Sequence, residues 1–317
     1  MFELTFLGTS SSAPSVRRGL SSHIITHEQY RFLLDCGEGT QRQILRSGLG
    51  FKRLDTVLLT HGHLDHILGL GGLLSTLARW ENLDEINVYG GRRALARVND
   101  LLKVVFPGHK PPTGIHLNTL EAGVIMKNGR FQLSTFPVKH RGSDSFGYIF
   151  EEEGRRPFLS EKADELGVPF GPERGKLVAG ESVLLANGRL ITPDEVLGDY
   201  IPGVKYVHIG DIGVINETIT AACEGADVLV MESTYVNEEA AMAKQFGHMT
   251  AARSATLAKE CGAKTLILTH LSRRYHARPV LKEAQSIFPN SFVANDFDQF
   301  QISRDGAVLL GNLQNRR

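Results

Sequence analysis

Apolar and polar positions alternate along the first sixty residues in short runs broken by turns. Phe2–Leu7, Ser22–Thr26 and Phe32–Asp35 predict strands, separated by connections rich in Gly, Ser and Pro. Glu38–Arg46 predicts a helix, and the apolar run Asp55–Thr60 a buried strand. After it, Ile67, Leu70, Leu73, Leu74 and Leu77 recur at helical spacing. Strands are expected at Ile86–Tyr89, Phe131–Val138 and Phe146–Phe150, with a helix over Arg92–Val105 and a Pro-rich connection at Pro107–Pro112.

The second half settles into β-α alternation. Strands are predicted at Lys205–Ile209, Asp227–Met231 and Lys264–Thr269, and helices from Ile215, over Thr250–Glu260 and over Val280–Phe288. Mixed strands in series followed by β-α units imply an α/β fold: two sheets sandwiched between helices. Residues 151–199 interrupt that rhythm with charge, Gly and Pro, as in Glu151–Pro157 and Gly167–Pro172. A stretch of this length without a long periodic element is either disordered or a functional insertion. One domain over 1–317, carrying an insertion at 151–199, is the expected organisation.

Composition changes this picture little. The 35 basic and 35 acidic residues cancel, so a nucleic-acid partner would have to be held by local patches. Cys36, Cys223 and Cys261 are scattered and odd in number, which argues against a disulfide framework and for a reducing cytoplasm. No apolar run reaches the ~20 residues of a membrane helix, so a soluble, cytoplasmic protein is expected, with no membrane partner.

The chemistry concentrates in His61-Gly62-His63-Leu64-Asp65-His66, directly after a predicted strand. In an extended turn, residues two apart point the same way, so His61 and His63 can reach one metal together. Asp65 and His66 fall where the next helix begins and can face a second metal. Neutral imidazoles suit zinc, and a carboxylate neutralises charge. Six residues cannot complete two metal shells. His140, Asp211 and His270 each follow an apolar run and precede a loop, the places where side chains converge at one edge of a sheet.

With His140, Asp211 and His270 in that order behind the His-x-His-x-Asp-His cluster, the chain resembles the metallo-β-lactamase superfamily. Within it, the chain is similar to the short form of the ribonuclease Z family, the tRNA 3′-processing endoribonucleases. The likeness runs through Phe6-Leu7-Gly8-Thr9, Asp35-Cys36-Gly37-Glu38-Gly39-Thr40-Gln41, Phe146-Gly147-Tyr148, Gly247-His248-Met249-Thr250-Ala251 and Leu268–Tyr275. It implies the αββα sandwich of that superfamily and two Zn²⁺ per subunit, with Mn²⁺ or another divalent metal as substitutes. His61, His63 and His140 would take one ion, and Asp65, His66 and His270 the other, with Asp211 bridging.

Two metals can activate a shared water and stabilise both oxygens of an in-line displacement. The resemblance makes Asp65 the proton acceptor and places His248 over the scissile phosphate. Water as nucleophile implies a 3′-hydroxyl and a 5′-phosphate. It further implies precursor tRNA as substrate and a homodimer. Ile212 stands after Asp211 where the family usually has Thr, which removes a hydroxyl from beside the ligands.

The insertion at 151–199 occupies the place of the family's flexible tRNA-gripping arm. Between Glu151 and Lys176 it holds five basic and seven acidic residues, so it is no simple cationic clamp. Arg155, Arg156, Lys162, Arg174 and Lys176 are its candidate RNA contacts; Arg273 and Arg274, just beyond His270, are two more. The alternative is a small-molecule phosphodiesterase of the same superfamily, which would share the metal ligands but need neither the arm nor His248.

Overall fold

The computed structural model of the protein describes residues 1–80, 85–108, 114–142 and 144–316, apart from the side chains of Trp80 and Arg316. The connection expected at Pro107–Pro112 lies from residue 109 onward outside them. Strands run in chain order as β1 (Phe2–Gly8), β2 (Ser22–His27), β3 (Tyr30–Leu34), β4 (Thr56–Leu58), β5 (Glu85–Gly90) and β6 (Gly114–Thr119). Then come β7 (Gly123–Asn128), β8 (Phe131–Val138), β9 (Ser145–Glu152), β10 (Val183–Leu184) and β11 (Leu190–Ile191). The last are β12 (Val204–Ile209), β13 (Val228–Glu232), β14 (Thr265–Thr269), β15 (Ser291–Val293), β16 (Asp298–Ser303) and β17 (Gly306–Asn312).

One sheet has the order β17-β16-β1-β2-β3-β4-β5-β6, the other β15-β14-β13-β12-β9-β8-β7. Most strands that lead to the site are parallel, β3, β4 and β5 in the first sheet and β12, β13 and β14 in the second, while β8 pairs antiparallel with β7. Parallel strands buried on both faces read as continuous apolar runs, and β13 shows why. Val228 and Val230 enter the core between the sheets, beside Phe2, Leu4, Phe6, Tyr148 and Phe150. Leu229 and Met231 point the other way, as the period of two requires.

Helices cover both outer faces. On the first sheet lie α1 (Thr40–Ser47), α2 (Leu64–Ile67), α3 (Leu70–Trp80) and α4 (Arg92–Val105), burying Ile44, Ile67, Leu70, Leu73, Leu74, Leu77, Ala94 and Val98 against Leu7, Val57 and Leu59. The expected single helix after His66 is thus two. Its break falls at Gly69, where a Cβ would lie 2.1 Å from the carbonyl oxygen of Gly37.

The other large helices belong to the second sheet, and three shorter ones to the insertion: α5 (Ser160–Glu165), α6 (Pro172–Val178) and α7 (Pro193–Val196). After these come α8 (Glu217–Cys223), α9 (Ala240–Phe246), α10 (Ala251–Glu260) and α11 (Ala277–Gln285). Ala251, Ala255, Ala258, Val280 and Ala284 pack with Leu229, Met231, Leu266 and Leu268. α11 begins about one turn before the helix expected from Val280. This is the metallo-β-lactamase fold, two mixed sheets flanked by helices.

The chain divides into one unit of Met1–Glu151 with Val204–Arg317 and another of Glu152–Gly203. The second runs on past the Asp199 boundary expected from the sequence. It is also folded: α5, α6, α7 and the β10–β11 hairpin enclose Ala163, Val168, Leu177, Val183, Leu185, Ile191 and Val196. Its elements are too short to show periodicity. Its two ends meet closely, since a Cβ on Gly203 would fall 1.6 Å from the carbonyl oxygen of Glu152.

The expected consequence is that a short Gly-Ser linker in place of residues 154–202 leaves the first unit cooperatively folded, with its thermal midpoint close to the parent's. A cut at 154–180 should do worse, because it strands Val183, Leu185, Ile191 and Val196 without their core partners. Thermal unfolding followed by circular dichroism compares the two.

Candidate metal centre and active site

The site forms where strand ends from both sheets deliver polar residues. His61 and His63 follow β4, Asp65 and His66 lie in α2, His140 follows β8, Asp211 follows β12 and His270 follows β14. The structure gathers all of them. His61, His63, His140 and Asp211 have ligand-type atoms within 4.8 Å of one another, as do Asp65, His66 and His270. A third such set joins Asp211, His248 and His270.

Asp211 faces both halves. Its Oδ2 lies 3.5 Å from His61 Nε2 and 3.6 Å from His140 Nε2. Its Oδ1 lies 3.5 Å from His66 Nε2 and 3.2 Å from His270 Nε2. Asp65 Oδ2 completes the second half, 3.4 Å from His270 Nε2. Burial favours the neutral form of both carboxyls, but His270, His66 and His61 outweigh it at Asp211, and His66 and His270 at Asp65. Both carboxyls are held well below their usual range. Burial and the neighbouring histidines keep His61 and His63 below the ordinary imidazole value. At His66 burial is overcome by Asp35, Asp211 and Asp65, which raise it.

Each ring is fixed from behind. His66 Nδ1 meets Asp35 Oδ2 at 2.7 Å, and His140 Nδ1 meets the Gly247 carbonyl at 2.7 Å. His61 Nδ1 meets Thr60 Oγ1 at 3.1 Å, and His270 Nδ1 meets Thr234 Oγ1 at 3.0 Å. Such partners orient metal-binding imidazoles and select the tautomer. The inward nitrogens then oppose each other: His66 and His270 Nε2 are 3.2 Å apart, and His140 Nε2 and His63 Nδ1 are 3.3 Å apart. Buried His61 Nε2 and Asp211 Oδ1 have no hydrogen-bond partner among the described residues. Converging lone pairs and an orphaned carboxylate oxygen are the arrangement that divalent cations satisfy, so this donor set fits the metals the sequence called for.

Sequence reasoning passed over two carboxylates. Asp35 accepts from Thr60 N and Thr60 Oγ1 as well as meeting His66, all while holding φ 55. His270 has φ 57. Left-handed non-glycine residues carry strain that the surroundings must hold in place. Glu232 is fully buried at the end of β13; its oxygens lie 3.0 and 3.1 Å from His248 Nδ1. Burial lowers the His248 imidazole, but Glu232 and then Asp211 lift it to about 9. The signal for Glu232 was a charged residue closing the apolar run Val228–Met231. Ile212 has a plain explanation: its side chain joins the apolar core, while its N–H donates to Glu232 Oε1 at 2.8 Å.

The candidate RNA contacts divide. In the second unit Arg155, Lys162 and Lys176 are exposed. Arg156 instead donates to the carbonyls of Gly198 and Leu197 and pairs with Asp194. Arg174 pairs with Asp164 and lies over the Phe170 ring at 4.3 Å. These two guanidinium groups brace the insertion from within. Arg273 is exposed beside a cavity of about 560 Å³ that Arg17 and Arg18 also line. Arg274 meets Glu239 at 3.1 Å.

Asp35→Asn keeps the size and tolerates the left-handed backbone but removes the charge behind His66. The expected result is metal affinity lower by roughly 10- to 100-fold, measured by competition with a chromogenic chelator.

Comparison with known proteins places this geometry. Residues 2–161 match a family model described as Anti-Pycsar protein Apyc1, and residues 187–271 one described as Beta-lactamase superfamily domain. A protein named Ribonuclease Z from Bradyrhizobium diazoefficiens is 43% identical, over 95% of this chain and 100% of its own. One of the same name from Archaeoglobus fulgidus is 39% identical, over 96% of this chain and 99% of its own. The crystal structure of human tRNase Z, short form, is 25% identical with a TM-score of 0.67, covering 95% of this chain and 99% of that one. With such identity along nearly its whole length, the chain belongs to the ribonuclease Z family of endoribonucleases, on the metallo-β-lactamase fold.

Proposed function

We propose that this protein removes the 3′ trailer from precursor tRNA, hydrolysing one phosphodiester to leave a 3′-hydroxyl on the tRNA and a 5′-phosphate on the trailer. The observation that carries this reading is the two-sided histidine–carboxylate set around Asp211, with the His248–Glu232 pair beside it, in a chain of this family. His61, His63 and His140 would hold one zinc ion, Asp65, His66 and His270 the other, and Asp211 both. Bound there, the ions would supply Lewis acidity to water and to the phosphate oxygens.

The protein's own groups divide the proton work. Asp65 is held ionised, and its Oδ2 accepts the N–H of Ser12 at 2.8 Å. That contact leaves it able to take a proton from an attacking water. His248, whose affinity for a proton is raised by Glu232, is the group suited to carry one to the leaving oxygen. Glu232 fixes Nδ1, so Nε2 is left to steady charge on the phosphate and to protonate the leaving 3′ oxygen. Thr234 Oγ1 donates to Glu232 Oε2 and keeps that carboxylate aimed at the ring.

Grip on the tRNA body belongs to the insertion, through Arg155, Lys162 and Lys176, with Arg273 and Arg274 as two more contacts. Phosphate contacts of this kind are independent of sequence and suit an enzyme that meets many tRNAs. No helix among the described residues is long and apolar enough to cross a membrane. A cytoplasmic homodimer is part of the same proposal, and sedimentation of the purified protein would report its mass.

His248→Ala is expected to keep its metals while turnover on precursor tRNA falls by about 100-fold or more; single-turnover kinetics beside elemental analysis checks this. Metal loss in that variant would mean that His248 supports the ions instead. Replacing residues 154–202 by a linker should leave hydrolysis of a small phosphodiester within a few-fold, while precursor-tRNA cleavage falls through weaker binding. Equal processing by trimmed and intact protein would reject the arm's role, whereas cleavage of the small phosphodiester by both with no cleavage of precursor tRNA by either would favour a small-molecule phosphodiesterase.

A further inference from the structure

A second feature adjoins the centre and has no part in the chemistry above. Beside His61, His63 and His140 opens a cavity of about 190 Å³ whose walls carry Arg93, Arg97 and Arg141. Arg93 and Arg97 stand one turn apart on α4, so both guanidinium groups leave the same face of the helix. α4 is pressed against the ligand loop: a Cβ on Gly62 would lie 2.8 Å from Ala94 Cα. Arg97 donates to the Gly62 carbonyl at 2.9 Å, which ties the helix to the backbone between His61 and His63. Across the cavity Arg141 lies over the Phe246 ring at 5.3 Å. Arg93 reaches toward it, its Nη1 3.6 Å from where a Cβ on Gly142 would stand.

The one carboxylate in the wall is already occupied. Asp144 accepts the N–H groups of Arg92 at 2.9 Å and Arg93 at 2.7 Å, capping α4. Among the described residues, Arg93, Arg97 and Arg141 form no ion pair with any carboxylate. Guanidinium groups converging on a concave surface without a counter-charge make a receptor for a phosphate group. The cavity admits a sugar-phosphate unit but not a base-paired stem.

We infer that this cavity holds the backbone phosphate joining the first and second nucleotides of the trailer, one step downstream of the cleaved bond. The assignment rests on the tRNA-processing reading for the identity of the strand. The trailer is the partner that fits because it is single-stranded, whereas the nucleotide on the other side of the cut continues into the acceptor stem. The site makes the enzyme favour trailers of two or more nucleotides over a trailer of one, which lacks that phosphate.

The test uses the metal-loaded protein and Arg93→Ala, chosen because the Arg93 side chain is exposed and its guanidinium makes no hydrogen bond to the metal-site loop. With precursor tRNAs carrying one- or four-nucleotide trailers, wild-type kcat/KM should be higher for the longer by about 10-fold. Arg93→Ala should abolish that preference while cleaving the one-nucleotide substrate as before, with unchanged metal content. A neutral methylphosphonate at the first trailer linkage should cost the wild type the same factor and the variant nothing. Equal loss on both trailers, or a methylphosphonate penalty that persists in Arg93→Ala, would overturn the site.

A second substrate separates this inference from the one beneath it: the p-nitrophenyl ester of a thymidine 5′-phosphate, with and without a 3′-phosphate. Preference for the 3′-phosphorylated ester that vanishes in Arg93→Ala supports the phosphate site even if precursor tRNA is not cleaved. Precursor cleavage with no dependence on the second phosphate leaves the tRNA reading standing and removes the site.

Discussion

The buried carboxylate of Asp211 governs how the rest of the centre is arranged. An unpaired charge inside a protein costs several kcal/mol, and this one is 3% exposed. Four imidazoles face it, two at each oxygen. Because each oxygen faces one histidine from either sheet, one side chain joins the first sheet to the second. The loops after β4, β8, β12 and β14 must therefore meet at one point, and the packing of two sheets face to face brings them there.

Strain is concentrated in the same place. Asp35 and His270, on opposite sheets, hold left-handed backbones at the ends of β3 and β14. Each does so with its side chain engaged, Asp35 with Thr60 and His66, His270 with Thr234 and Asp211. The hydrogen bonds that orient these histidines also offset the conformations that aim them. Glu232 and Thr234 extend this logic to His248, so His248 and His270 share one support.

The insertion solves a separate problem. It carries its own apolar core, and two of its arginines are consumed in holding its shape. Its net acidity is consistent with that economy, because few of its charges are free to meet RNA. Specificity for a tRNA must then come from several surfaces acting together.

Local pattern was enough for much of this protein. Apolar runs such as Val228–Met231 and Leu266–Leu268 determined doubly buried strands. The His61–His66 cluster, with His140, Asp211 and His270 at the ends of such runs, determined which residues converge. The pattern was silent on β10, β11 and the helices of the insertion, whose spans are too short for a period to register. It also could not show that the helix after His66 breaks at Gly69, since that depends on the approach of Gly37. Tertiary structure alone decided that Asp35 backs His66, that Glu232 pairs with His248, and that Arg156 and Arg174 face inward. Periodicity records which side of its own segment a residue buries. Which charge it then meets is set by chain far away, as when Thr9 near one end donates to Asp296 near the other.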